Sequence, residues 1–335
     1  MSRRKHPGSG FCGILPVNKP AGMTSHDVVD RVRRILGERK VGHTGTLDPA
    51  AVGLLLLCVG DATRFARYLG GCAKTYRAVV RFGRTTDSCD GDGETLSVFD
   101  GDLAGVLTED NLRRSLEKYK GEFEQQPPSF SAKKVGGVPA YQLARQGIEP
   151  DLKPAAVRVD DIRVSGFAPP DVTLELDCSA GFYIRAFARD LGRDLGTGAY
   201  LESLVRTRVG AVKLDRAFDL EKLAAMGPQQ AVAEAMIGFD EALAFMPAVR
   251  LTETAVEDVF FGRQVELTGG SGLVEGEPSG TGVTAVRVRD CEGAFLGVGE
   301  LDRLRGSSDV LKPRRLLTGS FPVKLRARNR NEQAD

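Results

Sequence analysis

Apolar positions recur along this chain in two rhythms. Val28, Val29, Val32, Ile35 and Leu36 form one stripe at helical spacing, which predicts a helix over 25–38. Ser25 is placed to cap it and Gly37 to end it. In YRAVVRF, residues 76–82, Tyr76, Ala78, Val80 and Phe82 fall on one side, which predicts a strand. VTLELDC at 172–178 predicts a second. Thr108 is placed to cap a helix reaching about Tyr119, with Leu112 and Leu116 inward. After SAGFYIR a further helix turns Ile184, Phe187, Leu191 and Leu195 to the core, while Arg185 and Arg189 share another face. Another helix is expected after Gly198. The apolar run Val52–Val59 fits helix or strand equally, because periodicity does not separate them.

Between these elements lie stretches with other signals. Residues 124–151 hold paired prolines and glycines, a short helix expected over 140–146, and the cations Lys133 and Lys134. Such an excursion serves either binding or as a mobile surface loop. DSCDGDGE at 87–94 misses calcium-loop spacing and reads as a loop. Beyond 245–250, short alternating pieces such as VTAVRV and AFLGVGEL predict a small β domain or barrel. At 335 residues, about two domains are expected. The divisions are 1–9 as a disordered start, 10–248 and 249–322 as folded units, and 323–335 as a flexible basic tail.

Composition narrows the class. The formal net charge of +1 says nothing of nucleic acid, yet from Arg305 onward eight Lys/Arg face three Asp/Glu. A near-neutral chain can still carry a basic face. Six cysteines without a CxxC pair, and only three histidines, argue against a zinc site and for a reducing, cytoplasmic setting. Cys58 and Cys178 read as buried thiols. No apolar run approaches the ~18 residues of a membrane span, and MSRRKHP has no apolar stretch after it, so no signal peptide is expected. GSGFCG at 8–13 matches GxGxxG in letters only, since no strand precedes it.

The candidate chemistry centres on GHTGTLDPAAVG, residues 42–53. An aspartate before proline ordinarily marks a surface turn. Here Pro49 biases Asp48 toward extended backbone, Gly42 and Gly45 allow tight turns, and His43 lies five residues upstream. A carboxylate can serve as nucleophile or base without a metal. It gains a fixed orientation from an arginine, and an aromatic such as Tyr76 can pack on a planar substrate. Spacing alone does not bring Asp48, Tyr76 and Arg185 together.

Several segments, in order, carry a resemblance: NKPAGMTS (18–25), GHTGTLDPAAVGLL (42–55), KTYRA (74–78), QPPSFSAKKVGGVPAYQLAR (126–145), GFYIRAFARDLG (181–192), LVRTRVG (204–210) and LKPRRLL (311–317). Over about 10–322 the chain resembles the bacterial TruB-type tRNA pseudouridine synthases. The resemblance implies an α+β fold: a mixed, largely antiparallel sheet with flanking helices, followed by a PUA-like RNA-binding barrel. It implies that Asp48 is the catalytic carboxylate, Arg185 its ion-pair partner, and Tyr76 the aromatic stacked on a flipped uracil. It leaves open whether Asp48 attacks the sugar, attacks the pyrimidine or takes a 2′ proton. His43 is expected in the space the flipped nucleotide vacates. Lys19 is expected to support the Asp48 loop or to contact RNA, with Pro20, Gly22, Gly45 and Pro49 shaping that loop. Tyr183 and Leu204 are expected beside and beneath the uracil, Asp90 to orient a polar neighbour, and Lys133 and Lys134 to grip RNA within the insert.

The implied substrate is uridine 55 in the T-arm stem-loop of tRNA. No cofactor, metal, membrane or obligate protein partner is implied, and a monomer is expected. Ala180 and Phe182 depart from the polar residues common at those places in the family, and TDSCD from its usual TDTxD. The competing classes are a tRNA-folding chaperone without catalysis, a relative acting in a guide-RNA particle, and a carboxylate hydrolase. The last would need a second, opposed carboxylate.

Overall fold

The computed structural model describes residues 10–131, 133–268, 270–276, 282–303 and 308–317. The start, 1–9, and the tail, 323–335, expected to be disordered and flexible, both lie outside these residues. The chain begins with β1 (Gly13–Lys19), α1 (Ser25–Leu36), β2 (Val41–His43) and β3 (Val52–Val59). A short 3-10 turn and α2 (Ala66–Gly70) lead to β4 (Lys74–Phe82). The hairpin β5 (Arg84–Thr86) and β6 (Thr95–Val98) comes next, then α3 (Leu103–Val106), α4 (Glu109–Glu117) and β7 (Gly121–Gln125). The insert folds as β8 (Lys134–Val135), β9 (Val138–Pro139) and α5 (Ala140–Arg145). Then follow β10 (Ala155–Ala168), β11 (Asp171–Cys178), α6 (Ile184–Asp194), β12 (Ala199–Val209), β13 (Val212–Lys213) and β14 (Phe218–Asp219). The helices α7 (Leu220–Met226), α8 (Pro228–Ala235) and α9 (Phe239–Ala242) complete this part.

Ten strands make one sheet, ordered β14-β1-β3-β12-β4-β11-β10-β7, with β2 beside β3 and β13 beside β12. Its pairings are antiparallel except β1 with β14 and β3 with β12. The open question over Val52–Val59 is answered as a strand, and the reason is burial on both faces. Leu54, Leu56 and Cys58 join one core, while Leu55, Leu57 and Val59 join another beneath α1, α7 and α8. A strand covered on both sides reads as a continuous apolar run. Tyr76, Ala78, Val80 and Phe82 do share one side, facing a core completed by Phe187 and Leu191 of α6 and Leu112 of α4.

Three expectations are corrected. The segment after Gly198 is not a helix but β12, the strand between β3 and β4. A register shift at Leu201/Ser203 breaks its alternation, so Leu201 and Leu204 both face the core; a second shift lies at Arg206/Arg208. That spacing mimics a helix. Thr24, not Ser25, caps α1: its hydroxyl accepts from Asp27 N at 3.1 Å, and Asp27 accepts from Thr24 N at 2.8 Å. Gly37, at φ 62°, ends α1 as expected, although the helix itself stops at Leu36. Neither Gly42 nor Gly45 has positive φ; the glycine this region requires is Gly53, at φ 100°.

The second sheet comprises β15 (Ala248–Leu251), β16 (Val265–Leu267), β17 (Gly272–Glu275), β18 (Gly282–Arg289), β19 (Phe295–Arg303) and β20 (Asp309–Leu316), with α10 (Glu253–Phe260) against it. Its order is β16-β20-β19-β18-β15-β17. The two edge strands, β16 and β17, are consecutive in sequence and joined by a turn in which Ser271 N donates to Thr268 O at 3.0 Å. The sheet therefore curls nearly closed, as the expected barrel. Phe295 of this barrel stacks on Phe239 of α9, 5.7 Å between centroids, and both rings meet Phe65. Beside them Arg287 and Arg289 grip Asp240. Among the described residues no helix is long and apolar enough to cross a membrane, and all six cysteines are free, with Cys58 and Cys178 buried.

A β-carbon at Gly53 would stand 2.5 Å from the Arg206 carbonyl oxygen, in a backbone conformation that side chains disfavour. Gly53→Ala is expected to destabilise the fold by about 2 kcal/mol or more, read as a lower urea midpoint.

Candidate active site

Asp48 lies on the irregular connection between β2 and β3, so side chains from elsewhere must fix it. The Ser25 hydroxyl accepts from Leu47 N at 2.9 Å and donates to Leu47 O at 3.1 Å. The fully buried Lys19 donates from Nζ to Pro49 O at 3.0 Å and to Pro20 O at 2.9 Å. Gly22, at φ 80°, donates its N–H to Pro49 O at 2.9 Å. Of the two roles expected for Lys19, this geometry is that of loop support, with Pro20 and Gly22 sharing in it. On the other side of Asp48, Arg206 donates from Nη2 to Gly45 O at 3.1 Å and from Nη1 to Thr46 O at 3.4 Å.

Arg185, the second residue of α6, reaches Asp48 with two nitrogens: Nε lies 2.9 Å from Oδ2, and Nη2 donates to Oδ1 at 3.2 Å. The arginine side chain is 9% exposed and the carboxylate 43%. Arg185 also donates to Ser88 O at 3.1 Å and to Phe130 O at 2.7 Å, and its Nη1 lies 3.6 Å from Asp90 Oδ2. Gln125 fixes the start of α6, accepting from Tyr183 N at 2.8 Å and donating to Tyr183 O at 3.0 Å. Through Phe130 and Gln125, the insert and the strand before it brace this arginine.

Tyr76 is buried on β4, flanked by Arg206 on β12 and Leu176 on β11. Burial pushes its hydroxyl above the ordinary tyrosine range, against the opposing pull of Arg206, so the phenol stays protonated. Leu204 pairs with Ala78 and is buried in the same core. Tyr183 is half-buried just before α6, and burial raises its hydroxyl as well. Burial likewise raises Asp90, which accepts from the Ser88 hydroxyl at 2.5 Å.

His43 sits on β2 with its ring edge-on to His26 at 6.4 Å. Its Nδ1 is buried without a hydrogen-bond partner among the described residues. Burial, then the charges of His26 and Arg206, lower its pKa and favour the neutral ring. Lys133 and Lys134 stand apart, at the insert hairpin. Among the described residues no His/Cys/Asp/Glu group could hold a metal ion.

Sequence reasoning missed Ser25 as a loop anchor, Gln125, Gly53 and Arg206. Arg206 was visible only as one more positive charge in VRTRVG. Its placement depends on β12 being a strand, the element that sequence reasoning misread.

A family model described as TruB family pseudouridylate synthase (N terminal domain) matches residues 33–184, and one for the C-terminal part of pseudouridine synthase II TruB matches 247–317. The tRNA pseudouridine synthase B of Symbiobacterium thermophilum is 45% identical over 253 residues, 75% of this chain and 82% of that protein. The same-named protein of Saccharophagus degradans is 35% identical over 329 residues, 96% of this chain and 100% of the relative. The chain belongs to the TruB family of pseudouridylate synthases. It is therefore an enzyme of that family, with the family's α+β fold and a PUA-like barrel. The fold also matches the structure titled "Crystal Structure of a Cbf5-Nop10-Gar1 Complex", with a TM-score of 0.72 and 24% identity, over 93% of this chain and 87% of that one.

Burial lowers the Lys19 ammonium from its ordinary 10.5 to about 8. Below about pH 8 the ammonium is charged in both folded and unfolded chains, and its burial costs stability in full. Between about 8 and 10.5 the unfolded chain binds more protons, so stability rises with pH. The stability of wild type relative to Lys19→Met is expected to increase across that window. Urea titrations of both proteins from pH 7.5 to 10.5 check it, and a flat difference would contradict the buried charge.

Proposed function

We propose that this TruB-family enzyme converts uridine 55 in the T-arm loop of tRNA to pseudouridine, with Asp48 as its essential carboxylate. The observation that carries the reading is the Asp48 carboxylate held by the buried Arg185 guanidinium, in a chain of this family. The reaction breaks the N1–C1′ bond, turns the base, and forms a C5–C1′ bond. The C5 proton departs and N1 ends protonated, so the change is an isomerisation.

The target nucleotide must leave its stack to meet Asp48. Flipping costs a few kcal/mol, less in a loop than in a duplex, which favours the T-arm loop as substrate. Tyr76 supplies an aromatic face for the uracil, Leu204 an apolar floor, and Tyr183 a flank. The neutral His43, with an unpartnered buried nitrogen, suits the space from which the nucleotide departs. Residues 10–248 form the catalytic unit in this reading. The 124–151 arm, with Lys133 and Lys134, grips RNA backbone, and the barrel at 249–322 holds the remainder of the tRNA by phosphate contacts and shape. The enzyme works in the cytoplasm as a monomer, without cofactor or obligate protein partner. A tRNA-folding role alone would require the RNA surface but not an arginine buried to orient one carboxylate.

Asp48→Asn is expected to reduce turnover by about 1000-fold or more while leaving RNA affinity nearly unchanged. The assay is release of the C5 hydrogen from labelled uridine in a T-arm stem-loop, paired with a binding titration. Undiminished release by the variant would remove Asp48 from the chemistry.

A further inference from the structure

Arg206 is among the largest fully buried side chains of the protein, at 1% exposure. It occupies the central strand β12, level with Gly53 on β3 and with Tyr76 on β4. Among the described residues no carboxylate is paired with it. Its donors go instead to backbone oxygens: Nε to Leu54 O at 2.7 Å, Nη2 to Gly45 O at 3.1 Å and Nη1 to Thr46 O at 3.4 Å. Across the strands it is the register partner of Tyr76, whose hydroxyl feels its charge. A buried guanidinium without a counter-ion is costly, and leucine or methionine would fill a strand core without that cost. What arginine adds is a planar fork that reaches several acceptors in fixed directions.

The neighbours of Arg206 belong to two separate parts of the site. Gly45 and Thr46 form the shoulder of the loop ahead of Asp48, next to the Leu47 that Ser25 holds, while Lys19 holds the side after it. Tyr76 presents the aromatic face. We propose that Arg206 is a positioning residue that locks the Asp48 loop and the Tyr76 ring into one register, so that its loss slows the chemical step more than it weakens RNA binding. The proposal rests on the reading of Asp48 as the essential carboxylate. Arg206 acts through Asp48 and Tyr76 and touches no reacting atom. The absence of a side chain at Gly53 is part of the same device, because it lets the backbone of β3 approach β12 where this arginine is rooted.

The test uses the full-length chain with Arg206→Met and Arg206→Lys, compared with wild type and Asp48→Asn. Dissociation constants for a T-arm stem-loop and single-turnover rates at saturating RNA are measured separately, with circular dichroism confirming the fold. Arg206→Met is expected to keep the affinity of wild type and lose about 100-fold in rate, the scale of an ångström-size misplacement. Arg206→Lys is expected to recover part of that rate, since an ammonium can satisfy some of the same carbonyls. If the methionine variant fails to fold, the lysine variant carries the test through its rate at unchanged affinity. Wild-type rates in a folded Arg206 variant, or a loss confined to affinity, overturn the proposal. Turnover by Asp48→Asn overturns the underlying reading instead, whatever Arg206 does.

Discussion

Asp48 belongs to no helix or strand, and the carbonyls around it have no sheet partners to satisfy them. Buried carbonyls demand donors. In this protein most of the donors are long cationic side chains: Lys19 on Pro20 and Pro49, the latter shared with the Gly22 N–H, and Arg206 on Gly45 and Thr46. Each is rooted in a strand of the main sheet, so the loop inherits the rigidity of the sheet. Ser25 adds a third anchor from the first residue of α1. The Asp48 loop is thus irregular in backbone yet fixed from three elements, and Arg185 has only to meet it.

The same arrangement explains what could be read from sequence. Elements covered on one face were legible: α1, β4, α4, β11 and α6 each show a single apolar stripe. β3 was ambiguous because both of its faces are covered by different cores. β12 was misread because a register shift between Leu201 and Ser203 brings Leu201 and Leu204 to the same side. Asp48, Tyr76 and Arg185 stood out through their motifs, but the spacing of 48, 76 and 185 says nothing about proximity. Only the pairing of β12 with β3 and β4, together with α6 packed against that sheet, brings them together. Supporting residues were hidden for another reason. Gln125 and Arg206 act on backbone atoms, and a side chain that bonds a carbonyl leaves no complementary residue in the sequence to betray it.

Net charge was an equally poor guide to how the two sheets are joined. The contact combines an aromatic cluster, Phe65, Phe239 and Phe295, with Arg287 and Arg289 on Asp240. Both arginines spend their charge inside the protein, and Arg289 also meets Glu275. Counting cations therefore overstates the basic surface available to RNA. The sequence of β18 reads as basic alternation, yet its arginines serve the joint between the sheets.

The Arg185–Asp48 pair is unequal in a way that bears on its purpose. The guanidinium is nearly buried and the carboxylate remains 43% exposed. A pair serving stability alone gains little from that asymmetry: the exposed partner is weakened by solvent, while the buried one still bears a desolvation cost. Here the cost falls on the arginine, and backbone oxygens of Ser88 and Phe130 offset it from outside the pair. Arg185 is therefore held whether or not Asp48 is engaged elsewhere. The carboxylate is oriented from behind and left open in front, the geometry that the role proposed for Asp48 requires.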